Sequence, residues 1–430
     1  MILDLIKEGN NLSIKWPISD PNINKIGDGL IIEIENNKNL DEEFYEYALK
    51  FKTSANLLTR HILEDQSIDK LDNYFFSVAY LYRHSVESIL KAVGFKYIIN
   101  SEDRKNFIKD TFHNLHKILL EINPYIKTEL EKDIDAYEWL LAYFEDLGEI
   151  DKESDSFRYP FGISVHTTTY YDGVTKKYSI KLVFEKQTHI NLLAFANKLE
   201  VAFGLIDYIY KGNFGSIKHY ESYKPIFIEE GGSYYAQSVV GYSYNSEKFY
   251  PYIKAYQESA EFIYKKICEK NELKYSLFIP MCYMYKNAIE LFLKQILFEE
   301  CSFEFQEAIK QLKKKKHSVW GLWKLIIDEI EEHAEAPEDD VTTINVEKYI
   351  NQLHNTDGGS DKFRYPTNKY LEFHFGKKKK FDIDNVNNFF SELESFLSAV
   401  DCMMSVHNEW KAEMEAEYYS EMASYYDYYN

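Results

Sequence analysis

The sequence predicts a mainly α-helical protein: two tandem four-helix-bundle-like repeats, each with an inserted β-hairpin, behind a short β-like N-terminal segment. Three observations predict it. Hydrophobic residues make up 45% of the 430 and aromatics 17%, while Gly and Pro number only 17 and 9, the composition of packed helices. Apolar residues recur at helical spacing over long stretches, as in Phe75, Val78, Ala79, Tyr82, Val86, Ile89 and Leu90. The segment beginning near residue 41 also returns near residue 246, with its features in the same order.

Residues 1 to 40 form the β-like segment. The first repeat, 41 to 212, opens a long helix at Phe44-Tyr45 and a second through Tyr82-Arg-His-Ser-Val-Glu-Ser-Ile-Leu-Lys91. A short amphipathic helix starts at His113 and a further helical piece follows. The loop Asp151-Lys-Glu-Ser-Asp-Ser-Phe-Arg-Tyr-Pro160 comes next, then alternating residues from Ile163 to Phe184 that reverse at Asp172-Gly173 and read as a hairpin. A long helix, Ile190 to Tyr210, closes the repeat. After a Gly/Tyr/Ser-rich connector, 213 to 245, the second repeat occupies 246 to 410. Phe249-Tyr250, Tyr285-Lys-Asn-Ala-Ile-Glu-Leu-Phe-Leu-Lys294, His317 and Asp357-Gly-Gly-Ser-Asp-Lys-Phe-Arg-Tyr-Pro366 match their counterparts in turn. A hairpin is expected from Tyr370 to Ile383 around Gly376, and a closing helix from Val386 to Ser405. Residues 411 to 430 form an acidic, Tyr-rich tail, either loosely held or a helical extension.

Fifty Lys and Arg against seventy Asp and Glu give a net charge of −20, so the average surface repels phosphate and any contact with nucleic acid needs local basic patches. Met1 to Asn10 lacks a secretory pattern and no apolar run approaches membrane-spanning length, so a cytoplasmic location without membrane contact is expected. Cys268, Cys282, Cys301 and Cys402 have no CxxC spacing, which removes zinc frameworks. No Walker loop, GxGxxG, GxSxG or HExxH occurs, and no cofactor or metal is expected.

Four residue types that carry chemistry recur in both repeats: Glu87 with Lys91, His113 and Arg158, then Glu290 with Lys294, His317 and Arg364. Glu and Lys four apart share a helical face. Their apolar neighbours favour partial burial, in a network between helices or in a site. The two His residues start helices, where an imidazole either caps backbone donors or moves protons near neutral pH. His116 makes an HxxH with His113, but Trp320 stands at the equivalent place, which argues against a metal pair. Only five of the basic residues are arginine, and two of them occupy the matched FRYP position. There the guanidinium either holds the loop together or meets a phosphate. The runs Lys313, Lys314, Lys315, Lys316 and Lys377, Lys378, Lys379, Lys380 are the positive patches best placed to touch RNA.

At Glu87-Ser-Ile-Leu-Lys91 and Glu290-Leu-Phe-Leu-Lys294 the sequence resembles the HEPN superfamily, all-helical bundles that often carry Glu-x-x-x-Lys on the second long helix. The resemblance implies a metal-independent endoribonuclease of a bacterial defence or stress system, of toxin or abortive-infection type, with its site where two bundles meet. Two bundles in one chain imply intrachain pairing or a homodimer. The chain departs from the pattern of Arg followed four to six residues later by His: Arg158 and Arg364 are followed by His166 and His374, both in the expected hairpins. Two functions follow. Either His113 and His317 supply the imidazoles of a rearranged catalytic set, with the arginines on phosphate, or the bundles form a non-catalytic scaffold whose acidic surface binds a protein partner.

Overall fold

The computed structural model describes residues 15–170, 173–215, 218–241, 248–334, 337 and 339–429. Among them the chain is mainly helical, with a few short strands. Strand β1 (Ile31–Ile34) leads into α1 (Leu40–Asp65), α2 (Ile68–Asn73), α3 (Phe75–Tyr97), α4 (Ser101–Thr111), α5 (Leu115–Leu130) and α6 (Ile134–Asp151). Strands β2 (Phe161–Tyr170), β3 (Gly173–Leu182) and β4 (Thr188–Asn191) precede α7 (Leu192–Lys211). Strand β5 (Gln237–Val240) is followed by α8 (Tyr250–Glu269), α9 (Lys274–Gln295), α10 (Phe305–Lys315), α11 (Val319–Ala334), α12 (Thr342–Asp357), β6 (Lys379–Asp382) and α13 (Ile383–Tyr429).

Short polar side chains start several of these helices. Asn100, Asn114, Asp133 and Asn191 each accept a hydrogen bond from a backbone N–H in the first turn of α4, α5, α6 and α7. The matched sequence segments lie on matched elements: α1 and α8, α3 and α9, α4 and α10, α5 and α11. Helix α3 packs on α1 and α7, and α9 on α8 and α13, while α1 also meets α9 and α3 meets α8. As a result α3 is buried from Phe75 to Phe95 and α9 from Leu277 to Gln295. Neither helix has a water-facing side, so their polar residues must find partners inside the protein.

The boundary between the two halves is aromatic. Tyr80 of α3 stacks on Tyr283 of α9 at 4.8 Å, Phe76 stacks on Tyr252 at 3.8 Å, and the Ser77 and Ser259 hydroxyls are 2.7 Å apart. Stacked rings of this kind add to the burial of their area.

The expected first hairpin is present, β2 pairing with β3 from Phe161↔Leu182 to Tyr170↔Gly173. The expected second hairpin is not: β6 pairs with β1, Ile32 opposite Phe381, some 350 residues away in sequence. The reason is local. Asn368 closes a tight turn by accepting from the Tyr370 and Glu372 amides, and Leu371 takes a left-handed φ of 63° that interrupts extended backbone. One bridge, Thr367↔Phe373, is all that forms, and the Phe381 side of β6 is covered instead by Ile32 and Ile34, which are buried. Similarly, β5 of the connector pairs with β4, which precedes α7. Each leading segment is therefore added to the strand in front of the other half's closing helix. Residues 411–429 continue α13, whose side chains from Glu409 to Ala423 are exposed. No helix of the described residues is long and apolar enough to cross a membrane.

If β1 is an integral part of the C-terminal half, Ile32→Ala should cost about 2–4 kcal/mol in chemical denaturation. A change within ~0.5 kcal/mol, the scale of an ordinary surface substitution, would contradict the pairing.

Candidate functional site: two composite polar centres

Arg83, Glu87 and Lys91 are spaced by four on α3 and share one face; Lys286, Glu290 and Lys294 do the same on α9. All six are buried. An unpaired buried charge costs several kcal/mol, so such rows persist only inside networks.

Each glutamate is the hub of one. Glu87 pairs with Arg83 and accepts from Lys91 Nζ at 2.6 Å, His113 Nδ1 at 2.9 Å and the Tyr365 hydroxyl at 2.6 Å. Glu290 accepts from Lys294 Nζ at 2.7 Å, His317 Nδ1 at 3.0 Å and the Tyr159 hydroxyl at 2.7 Å. The tyrosines are exchanged: Tyr159 of the N-terminal FRYP loop completes the C-terminal centre, and Tyr365 completes the N-terminal one. Burial alone would push both glutamates up, but the surrounding Lys, His and Arg83 or Lys286 outweigh it and hold both carboxyls well below their ordinary range.

The loops that carry these tyrosines are anchored in their own half. Asp151 pairs with Arg83 at 2.9 Å and accepts from the Ser156 amide; Asp357 lies 3.7 Å from Lys286 and accepts from the Asp361 and Lys362 amides. Ser154 and Ser360 then turn the chain with φ of 66° and 60°. At the far end Tyr256 donates to the Phe157 carbonyl at 3.0 Å and His84 Nε2 lies 2.8 Å from the Arg364 carbonyl. Each loop thus bridges from its own aspartate anchor to the opposite half.

The arginines stand behind the tyrosines. Arg158 is 1% exposed and donates to the Tyr159 hydroxyl at 2.7 Å. Arg364 is 6% exposed and donates to the Tyr80 hydroxyl at 2.8 Å. Their guanidinium carbons lie 6.0 and 5.8 Å from the Tyr80 ring centre, so the two positive charges converge at the boundary. Arg158 also touches Asp155 at 3.3 Å, a carboxylate that is half in solvent; Arg364 has no carboxylate partner among the described residues. In the Glu87 centre the buried cations Arg83, Lys91 and Arg364 exceed the buried anions Glu87 and Asp151 by one. Around Glu290 the buried Lys286, Lys294 and Arg158 face the buried Glu290 and Asp357, and the half-exposed Asp155 on Arg158 makes up the balance, so the two centres differ in charge.

The imidazoles sit on paired, strained turns. Thr111 to Asn114 and Lys315 to Ser318 close by backbone hydrogen bonds of 3.1 and 3.0 Å. Phe112 takes φ 47°, ψ −106° and Lys316 φ 51°, ψ −108°, the conformation that the first corner of a type II′ turn normally reserves for Gly. His113 and His317 follow at the second corner. Nδ1–H bonds to the glutamate, leaving Nε2 as the acceptor with no hydrogen bond among the described residues. Burial lowers the His113 pKa against the pull of Glu87. At His317 the pull of Glu290 is outweighed by burial with Arg158 and Lys294, again downward. Both rings are therefore neutral near pH 7. Burial also lowers Lys91 and Lys294.

A cavity of about 770 Å³ opens over the Glu87 centre, with Lys91, His113 and Tyr365 on its wall. All eight expected site residues thus fall into the two centres. The lysine runs do not gather there. Lys378 and Lys380 pair with Glu33 at 3.0 and 2.9 Å, and Lys379 covers Phe381, so this run reinforces the β1–β6 pair. Lys313 donates to the Ile163 carbonyl on the β2–β3 hairpin, while Lys314, Lys315 and Lys316 end α10 beside His317. Sequence alone does not single out Arg83, Lys286, Asp151, Asp357, Tyr159 and Tyr365, which the structure places in the two centres. Every one of those positions matches between the two sequence segments, with only Arg for Lys at one, so the internal match carries the signal. No family model, curated protein or solved structure matches the chain.

Two outcomes test this geometry. Tyr365→Phe should move the His113 titration, followed by NMR of labelled imidazoles, and leave His317 in place, with Tyr159→Phe doing the reverse; uncrossed effects would refute the exchange. Lys316→Gly should stabilise the protein to denaturant by about 1 kcal/mol, because Gly relieves a strain of ~1–3 kcal/mol at an exposed position.

Proposed function

We propose that the chain is a tandem pair of HEPN-like helical bundles that meet within the chain, and that the two composite centres cleave RNA without a metal ion. The observation that carries this reading is a buried surplus of one cation in the Glu87 centre beside a neutral imidazole whose Nε2 has no hydrogen-bond partner among the described residues. A surplus buried cation calls for an anion, and a phosphodiester supplies one.

In this reading Nε2 of His113 takes the proton from a ribose 2′-hydroxyl. The freed oxygen attacks phosphorus, the bond to the 5′-oxygen breaks, and a 2′,3′-cyclic phosphate is left. Lys91, on the cavity wall with a lowered pKa, donates its proton to the departing oxygen. Arg364 adds positive charge at one remove, behind Tyr365. Glu87 keeps the imidazole in the tautomer whose Nε2 accepts. His317, Lys294, Arg158 and Glu290 take the same roles in the other centre. A defence or stress setting rests on the family resemblance alone.

A second reading, a non-catalytic module for a protein partner, is favoured by α13. Beyond the body of the protein this helix exposes Trp410, Met414 and Tyr418 at four-residue spacing beside Glu409, Glu413 and Glu417.

Incubation of the purified protein with total RNA in EDTA separates the two. Cleavage is expected from the wild type, holding as the pH falls below ~6.5, the ordinary imidazole value. None is expected from a His113→Ala/His317→Ala variant of unchanged circular dichroism. Equal cleavage by the variant would end the assignment of the imidazoles, and no cleavage by either would favour the partner-binding module.

A further inference from the structure

The two centres match in their buried residues but differ at their mouths. Over the Glu87 centre the cavity wall carries two exposed aromatic rings, Phe112 at 61% and Tyr370 at 65%. Both are held out by unfavourable backbone. Phe112 occupies the glycine-like corner of the turn before His113, and Tyr370 precedes Leu371, whose φ of 63° is an outlier for a bulky side chain. Asn368, which accepts from the Tyr370 and Glu372 amides, fixes that second turn. Two strained turns from opposite halves of the chain therefore present apolar rings to one solvent-filled space. Strain of this kind persists where the surrounding structure enforces it, and it gathers at ligand clamps.

Four lysines share the wall with apolar Phe44, Ile108 and Leu371. Lys105, Lys109 and Phe112 share one face of α4 and its end, and Lys369 flanks Tyr370 from the other side, 5.0 Å from its ring centre. Asp361 and Glu372 are the acidic members, and Glu372 is engaged by Asn368. In a protein of net charge −20, four lysines against two carboxylates on one wall invert the local sign, with Lys91 bonded to Glu87 and Lys105 3.9 Å from Glu102. The volume, about 770 Å³, lies within the range of small-ligand pockets and accommodates a nucleotide. At the other centre Lys316 stands where Phe112 stands, and no tight turn matches the one that carries Tyr370: the β2–β3 hairpin follows the FRYP loop instead and is bonded to Gln306 and Lys313 of α10.

We propose that the cavity over the Glu87 centre is a subsite for an unpaired nucleobase that stacks on Phe112 and Tyr370, its flanking phosphates met by Lys105, Lys109 and Lys369. The inference rests on the phosphodiester reading above and adds to it an inequality between the centres: the His113 centre reads a base, and the His317 centre meets the backbone alone. Flat rings with lysines around them suit a base of any identity, since every base has a π-face, and bar a duplex, whose bases are already stacked.

The test uses the full chain and two 2′-O-methyl oligonucleotides of equal length, which resist cleavage, one with bases and one with abasic spacers. The wild type should bind the first ~10-fold more tightly by fluorescence anisotropy, the scale of losing one stacked base. Phe112→Ala/Tyr370→Ala should abolish that difference while leaving the affinity for the abasic strand unchanged, and Phe112→Trp/Tyr370→Trp should restore it. Both side chains are exposed, and circular dichroism verifies that each variant is folded. Equal binding of the two strands by the wild type, or a preference that survives the double alanine variant, overturns the base subsite while the phosphodiester reading stands. Failure to bind either strand overturns that reading and the subsite with it.

Discussion

A carboxylate with no access to water organises this protein. Glu87 and Glu290 lie in helices buried on every side, and each needs several donors to remain ionised. Helix spacing supplies the lysine four residues after each, Lys91 and Lys294, and for Glu87 also Arg83 four residues before, while Lys286 lends Glu290 its charge without a hydrogen bond. A turn supplies the imidazole. The remaining donor, the tyrosine hydroxyl, arrives from the opposite half, and so neither carboxylate is satisfied by the half that holds it. The polar requirement of one helix thus dictates the long-range contact.

The same interdependence is repeated at the periphery. Strand β1 completes β6, and β5 completes β4, so the segments that begin each half are built into the other. With the Tyr80–Tyr283 stack at the centre, three layers of contact tie the halves: strands outside, loops between, rings at the boundary. A single backbone strand pair is weak, and the buried ion networks cost desolvation, but each fixes geometry that the other alone would leave loose. Arg158 and Arg364, both against Tyr80, place the two polar centres in one electrostatic environment.

Much of this was legible in the sequence, for a physical reason. Helical periodicity in Leu277 to Leu297 and in Phe75 to Leu90 follows from local sterics and burial, and the helices appear where it places them. Glu87, Lys91, His113 and Arg158 stand out because two copies preserve them. What the sequence does not carry is distance. The alternation from Tyr370 to Ile383 reads equally well as a hairpin or as one strand awaiting a remote partner, and Leu371 decides the matter through a φ that no periodicity records. Tyr159 and Tyr365 resemble turn residues in the motif, since a hydroxyl that crosses to the other half looks no different in one dimension from one that faces water. Arg83 and Lys286 were hidden by their own difference: they are equivalent in charge and position but not in name.

The exchange of loops also fixes the order in which a growing polypeptide can acquire its polar centres. Glu87, Lys91 and His113 leave the ribosome early, yet their tyrosine lies at position 365, so that centre stays open through most of translation. The other centre waits for His317, even though Tyr159 has been made long before. A truncated or stalled product that ends before residue 317 contains neither arrangement, and one that ends between 317 and 365 contains at most one. The topology acts as a timer, coupling the assembly of both centres to synthesis of the chain through Tyr365.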